Sequence, residues 1–152
     1  MRTPPSLELD LSPDQLEREA IDSVLDRLVP LCEGKGGDRS ALFVVSPNAG
    51  TPTAVRFWSD TQQKGVAVAN PELFPWCLAN APCGAIARRF GITGPNATWL
   101  GDEEALEAAW QSAESTIEAG RVSRVFLLYM RFGTPPNSQG LLKVWSLPFT
   151  SD

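Results

Sequence analysis

The sequence predicts an α/β domain: a mixed, mostly parallel sheet with an antiparallel last strand, flanked by helices. Three observations predict it. The runs Ser40–Ser46 (SALFVVS) and Arg124–Met130 (RVFLLYM) are continuously apolar at strand length, the pattern of strands covered on both faces. Stretches of helical periodicity alternate with them. Two strands then follow each other at the end of the chain, which calls for an antiparallel return.

Taken in order, the proline-flanked opening PPSLELDLSP alternates Leu7, Leu9 and Leu11 with polar residues and reads as a short edge strand or extended arm. Ser12, Pro13 and Asp14 are a cap, a first-turn residue and a dipole-matched acid, so a helix is expected to start there. Leu16, Ile21, Leu25, Leu28 and Leu31 recur at helical spacing up to about Cys32, and EGKGGD ends the helix. After the first buried strand, PNAGTPT reads as a loop, and Thr53–Trp58 fits either a short strand or a helix start. Pro71–Leu78 (PELFPWCL) is short, aromatic and broken by Pro75, whereas Pro82–Phe90 (PCGAIARRF) reads as a small-residue helix able to approach another element closely.

Beyond the turn GITGP, Asn96–Leu100 is a second short strand. Asp102–Ala119 is a strong helix, with acids in its first turn, Ala105, Leu106, Ala109, Ala113 and Ile117 on one face, and Gly120 as its stop. After Arg124–Met130 and the loop GTPPNSQG, Leu141–Phe149 is the last strand, placed at an edge because Pro148 interrupts it.

With 152 residues, 43% of them apolar, one packed core is expected, and residues 1–152 read as a single domain. The 13 basic and 18 acidic residues give a net charge of −5, and no basic run exceeds Arg88-Arg89, so neither nucleic acid nor an anionic membrane is an expected partner. No apolar run approaches the roughly 20 residues that span a bilayer, and the opening residues lack a signal-peptide core, so a cytoplasmic protein is expected. There is no histidine, which removes Ser-His-Asp and Cys-His catalysis and mixed Cys/His zinc sites. Cys32, Cys77 and Cys83 form no C-x-x-C pair and read as reduced thiols; no metal and no cofactor is expected.

The stretch Pro71–Met130 carries Phe74-Pro75, Asn80-Ala81-Pro82 with Gly84, then Arg89-Phe90-Gly91-Ile92, Gly94-Pro95-Asn96 and an Ala/Glu-rich helix ending in Ala119-Gly120-Arg121. In that order the motifs resemble the N-terminal half of β-ketoacyl synthases, the thiolase-fold condensing enzymes of fatty-acid and polyketide synthesis. The resemblance extends more loosely back through SALFVVSPNAG and the first helix. It implies a thiolase-like half domain and places the family's nucleophilic cysteine nine residues after Gly94, at a helix start where the dipole lowers a thiol's pKa; that position holds Glu103. The family's catalytic histidines belong to a C-terminal half. A glutamate there is a weak nucleophile toward thioesters. The chain therefore resembles non-catalytic relatives of the chain-length-factor type, including truncated ones beside aryl polyene pathways, which pair with an active ketosynthase and shape its acyl tunnel.

The resemblance implies a ketosynthase subunit or a second copy as partner, and an acyl carrier protein as the source of the acyl chain. It places Phe74, Trp76, Cys77 and Leu78 near the tunnel; from the residues alone this aromatic segment fits a pocket wall, core or dimer surface equally. Asn96, Ala97, Thr98, Trp99 and Leu100 match the edge strand through which family members pair, with Trp99 as anchor; the other reading puts Trp99 in the core. Arg88 and Arg89 would meet a carrier protein or a phosphopantetheine phosphate, or are simply solvated. Glu103-Glu104 would serve acid-base work or, more economically, match the helix dipole beside Asp102. The rival function is a decarboxylase or acyltransferase acting on carrier-bound acyl groups through Glu103, or through Cys77 or Cys83 as a moved nucleophile.

Overall fold

A computed structural model describes residues 3–13, 15–133 and 139–148. The helix-start reading of Asp14, the centre of the GTPPNSQG loop and the strand end at Phe149 lie outside the described residues. The strands are β1 (Leu7–Leu11), β2 (Ser40–Ser46), β3 (Asn96–Leu100), β4 (Arg124–Arg131) and β5 (Gly140–Leu147); the helices are α1 (Glu17–Cys32), α2 (Thr51–Lys64), α3 (Ala81–Phe90) and α4 (Glu103–Glu118). They build one five-stranded sheet in the order β1-β5-β4-β2-β3. Strands β2, β3 and β4 are mutually parallel through Leu42 opposite Asn96 and Ser40 opposite Arg124, and β5 runs antiparallel to both of its neighbours.

Alternation along the strands builds two cores. Leu42 and Val44 of β2 join Phe126, Leu128 and Met130 of β4 on one face, under α1 (Ile21, Val24, Leu28) and α3 (Cys83, Ile86, Phe90). Phe43 and Val45 join Leu127, Tyr129 and Trp145 on the other, under α4 (Leu106, Ala109, Trp110, Ala113). Every residue of β2 is buried, as its unbroken apolar run requires of a strand covered on both faces.

Three expectations change. The first helix begins at Glu17, not at Ser12: β1 stays extended to Leu11, and the Leu16 N–H is taken by the Glu19 carboxylate at 3.0 Å. Its buried face is Ala20, Ile21, Val24, Leu28 and Cys32, with Leu25 and Leu31 only half-buried. The last strand is interior rather than at an edge, because β1 pairs along β5 no further than Val144 while Pro148 falls after Leu147, the last residue paired with β4. Thr51–Lys64 is a helix that begins inside the stretch read as a loop, entered through Gly50 at φ 83°.

One long-range contact was not visible in the sequence. Gly50 has no side chain to cap α2, so the carboxylate of Glu17, the first residue of α1, does it instead: Oε2 accepts the Thr53 N–H at 3.2 Å and the Thr53 hydroxyl. Glu17 is fully buried, its Oε1 has no hydrogen-bond partner, and burial, opposed by the Thr53 bonds, pushes its pKa up.

Candidate functional site

The loops after β2 and β3 meet at the carboxyl end of the parallel strands, where open α/β sheets place their sites. The Gly101 N–H donates to the Ser46 carbonyl at 3.0 Å, and Gly101 holds φ 140°, which turns the chain from β3 into α4. Glu103 is the first residue of α4 and, like Glu104 beside it, is exposed. Both face an open hollow of about 560 Å³ lined by Trp99, Leu100, Gly101, Asp102 and Ala105. The helix start thus offers the field that would activate a thiol, and meets it with carboxylates.

Asp102 occupies the N-cap position, but its side chain makes no capping bond. It accepts a hydrogen bond from the hydroxyl of Tyr129 on β4. Burial and the Asp102 carboxylate together push the Tyr129 phenol up to about 12. The corner is therefore pinned to the sheet by a tyrosine. Removing that donor in Tyr129→Phe is expected to cost about 1–2 kcal/mol in chemical denaturation, because the exposed Asp102 carboxylate regains water. A larger loss would mean that the pair holds up more than the corner.

The other residues singled out from sequence fall in two further places. Phe74–Cys77 is a tight helical turn, with Phe74 and Leu78 exposed and Trp76 and Cys77 half-buried. Trp76 and Leu78 form one wall of an open groove of about 440 Å³ whose other wall is Asn80, Ala81, Gly84, Ala85 and Arg88 of α3 and its cap. Phe74 stands outside that groove and packs edge-on against Phe57 of α2 at 6.0 Å. Arg89 pairs with Glu33 at 3.1 Å and its guanidinium lies over the Phe90 ring, so Arg88 alone of the two lines the groove.

Strand β3 forms one border of the sheet, paired with β2 only. Trp99 is half-buried and packs edge-on against Phe43 at 4.9 Å, so its ring lies on the sheet face rather than along the open edge. Both sequence readings of this residue have a part in it. Among the described residues no helix is long and apolar enough to cross a membrane.

No protein-family model and no curated protein sequence matches the chain. Solved structures do match it. The ishigamide ketosynthase/chain length factor aligns with 76% of this chain and 38% of its own, at 15% identity and a TM-score of 0.61. The complex of a ketosynthase with its chain length factor from Xenorhabdus doucetiae aligns with 93% of this chain and 59% of the matched one, at 12% identity and a TM-score of 0.63. The chain has the ketosynthase fold. It spans less than two thirds of either matched chain.

Given that fold, the thiols place the chemistry in sharper relief. Cys83 is buried, with its Sγ directed at the Leu42 and Ala97 carbonyls, and burial pushes its pKa up to about 11; Cys32 is pushed up to about 12 in the same way. Cys77, half-buried, is also raised, by burial first and then by the Glu17 charge. None of the three lies at the α4 corner, and none is held as a thiolate.

Proposed function

We propose that the chain is a non-catalytic ketosynthase-like partner of the chain-length-factor type, working in polyketide, aryl polyene or fatty-acid biosynthesis in the cytoplasm. One observation carries this reading: the turn, strand and helix start of a nucleophile corner are kept in shape, and the residue at the first position of α4 is an exposed glutamate in a chain without histidine. An unreactive corner on an intact fold is of use for what it touches. The border strand β3 supplies unpaired backbone groups for a ketosynthase subunit to extend the sheet. The groove between Trp76, Leu78 and α3 supplies an apolar wall for an acyl chain, with Arg88 at its rim for the anionic carrier.

Co-expression with a ketosynthase and its acyl carrier protein, followed by mass spectrometry of the products, tests the reading. Trp76→Ala widens the groove and is expected to shift the products to longer chains while the two subunits still co-purify. No co-purification together with unchanged product length would overturn it. The rival decarboxylase or acyltransferase predicts loss of carbon dioxide, or an acyl adduct, on a malonyl-loaded carrier, abolished in Glu103→Gln. The raised thiol pKa values weigh against its cysteine form.

A further inference from the structure

Residues 51–80 contribute almost nothing to either core: Thr53 and Thr61 are the buried side chains of this stretch. Its apolar residues point outward instead. Val55 and Trp58 stand one turn apart on the outer side of α2 and are 64% and 61% exposed; Val66 and Val68, in the tight turn that follows, are 82% and 59% exposed. Among the described residues every strongly exposed large apolar side chain except Leu100 falls between Val55 and Leu78. A patch on the order of several hundred Å² is the size at which monomer surfaces usually prove to be interfaces.

Charge decides what fits it. The stretch holds Arg56, Asp60, Lys64 and Glu72, two of each sign, with Arg56 and Asp60 paired at 3.2 Å. Its net charge is zero, so the whole −5 of the chain resides elsewhere. Two copies approaching by any other broad surface repel; through this face they do not, and an uncharged apolar patch is complementary to itself under a two-fold axis. We propose that the outer face of α2, with Val55, Trp58, Val66 and Val68 at its centre, is a docking surface for a second copy of this chain, separate from the β3 edge.

Sedimentation velocity of the full chain across a dilution series, with hydrogen exchange at each concentration, tests this. The expected result is a reversible dimer whose formation protects the amides of residues 55–68 and persists in high salt. Trp58→Arg and Val66→Glu are each expected to raise the dissociation constant roughly tenfold or more. Val66 is exposed enough that its substitution leaves the fold intact, which circular dichroism checks. A monomer at every concentration overturns the proposal. So does a dimer that both variants leave unchanged, or one lost only when β3 is broken by Thr98→Pro, which would assign self-association to the sheet edge.

Discussion

Gly94→Ala is expected to cost about 3 kcal/mol of stability, read as a shift in the urea midpoint at unchanged slope. A Cβ built on Gly94 would lie 2.3 Å from the Ser40 carbonyl oxygen and 2.8 Å from that of Asp38. Both obstacles are backbone, and the backbone there is committed. The Thr93 and Gly94 N–H groups donate to the Gly37 carbonyl at 3.0 and 3.2 Å, and the Leu42 N–H donates to the Pro95 carbonyl at 3.0 Å. Room for the methyl group can come only from separating the two loops that bring β3 alongside β2. The control is Gly84→Ala, where the added Cβ meets nothing within 4 Å on a helix interior. That change is expected to stabilise the fold by up to about 1 kcal/mol. If Gly94→Ala stayed within about 0.5 kcal/mol of the parent, the close crossing would not be a constraint of the fold.

The contrast bears on what the GITGP motif is for. Gly94 sits where β3 begins, and Glu103 lies beyond the other end of that strand. A glycine required by a backbone crossing survives the loss of the chemistry once served at the far end. The motif by which the sequence resembles condensing enzymes thus reports the fold, while the single position that would report catalysis holds a carboxylate.

Much of the architecture was legible because local and tertiary demands agree. In β2 and β4 an unbroken apolar run has one outcome, a strand between two helical layers, and in α4 the acids, the Ala-rich face and Gly120 all mark the same boundaries. The failures come where a distant partner decides. Ser12-Pro13 is a sound local helix start, but the pairing of β1 with β5 holds the chain extended past it. Pro148 marks a strand end, and nothing near it reveals that β1 will cover the outer side of β5. Helix α2 is harder still, since it buries Thr53 and Thr61 while exposing Val55 and Trp58, a pattern inverted from that of a core helix. At the site the helix start was legible and the Tyr129–Asp102 tie was not, because the two residues sit on different elements with no motif linking them.

Glu17 gives the strongest pH-dependent expectation. Its carboxylate caps α2 from another helix, buried, with Oε1 unpartnered and its pKa raised by burial. A carboxyl with a raised native pKa holds its proton more tightly in the folded chain than in the unfolded one. Its contribution is therefore most favourable below the ordinary glutamate value of 4.5 and declines as pH rises through that value to the native pKa, at up to about 1.4 kcal/mol per pH unit. Above the native pKa the loss is complete and constant. Glu17→Gln keeps a carbonyl oxygen for the two Thr53 donors and removes the titration. Urea unfolding of both proteins at steps between about pH 4 and pH 8 is expected to show the parent falling relative to the variant across the lower part of that range, then running parallel to it. The buried amide carries its own cost of about 1–3 kcal/mol, which sets the offset between the curves and leaves their difference in slope untouched. Curves parallel throughout would mean that Glu17 titrates alike in both states, and that water or a rotation of the side chain relieves Oε1 at the junction of α1 and α2.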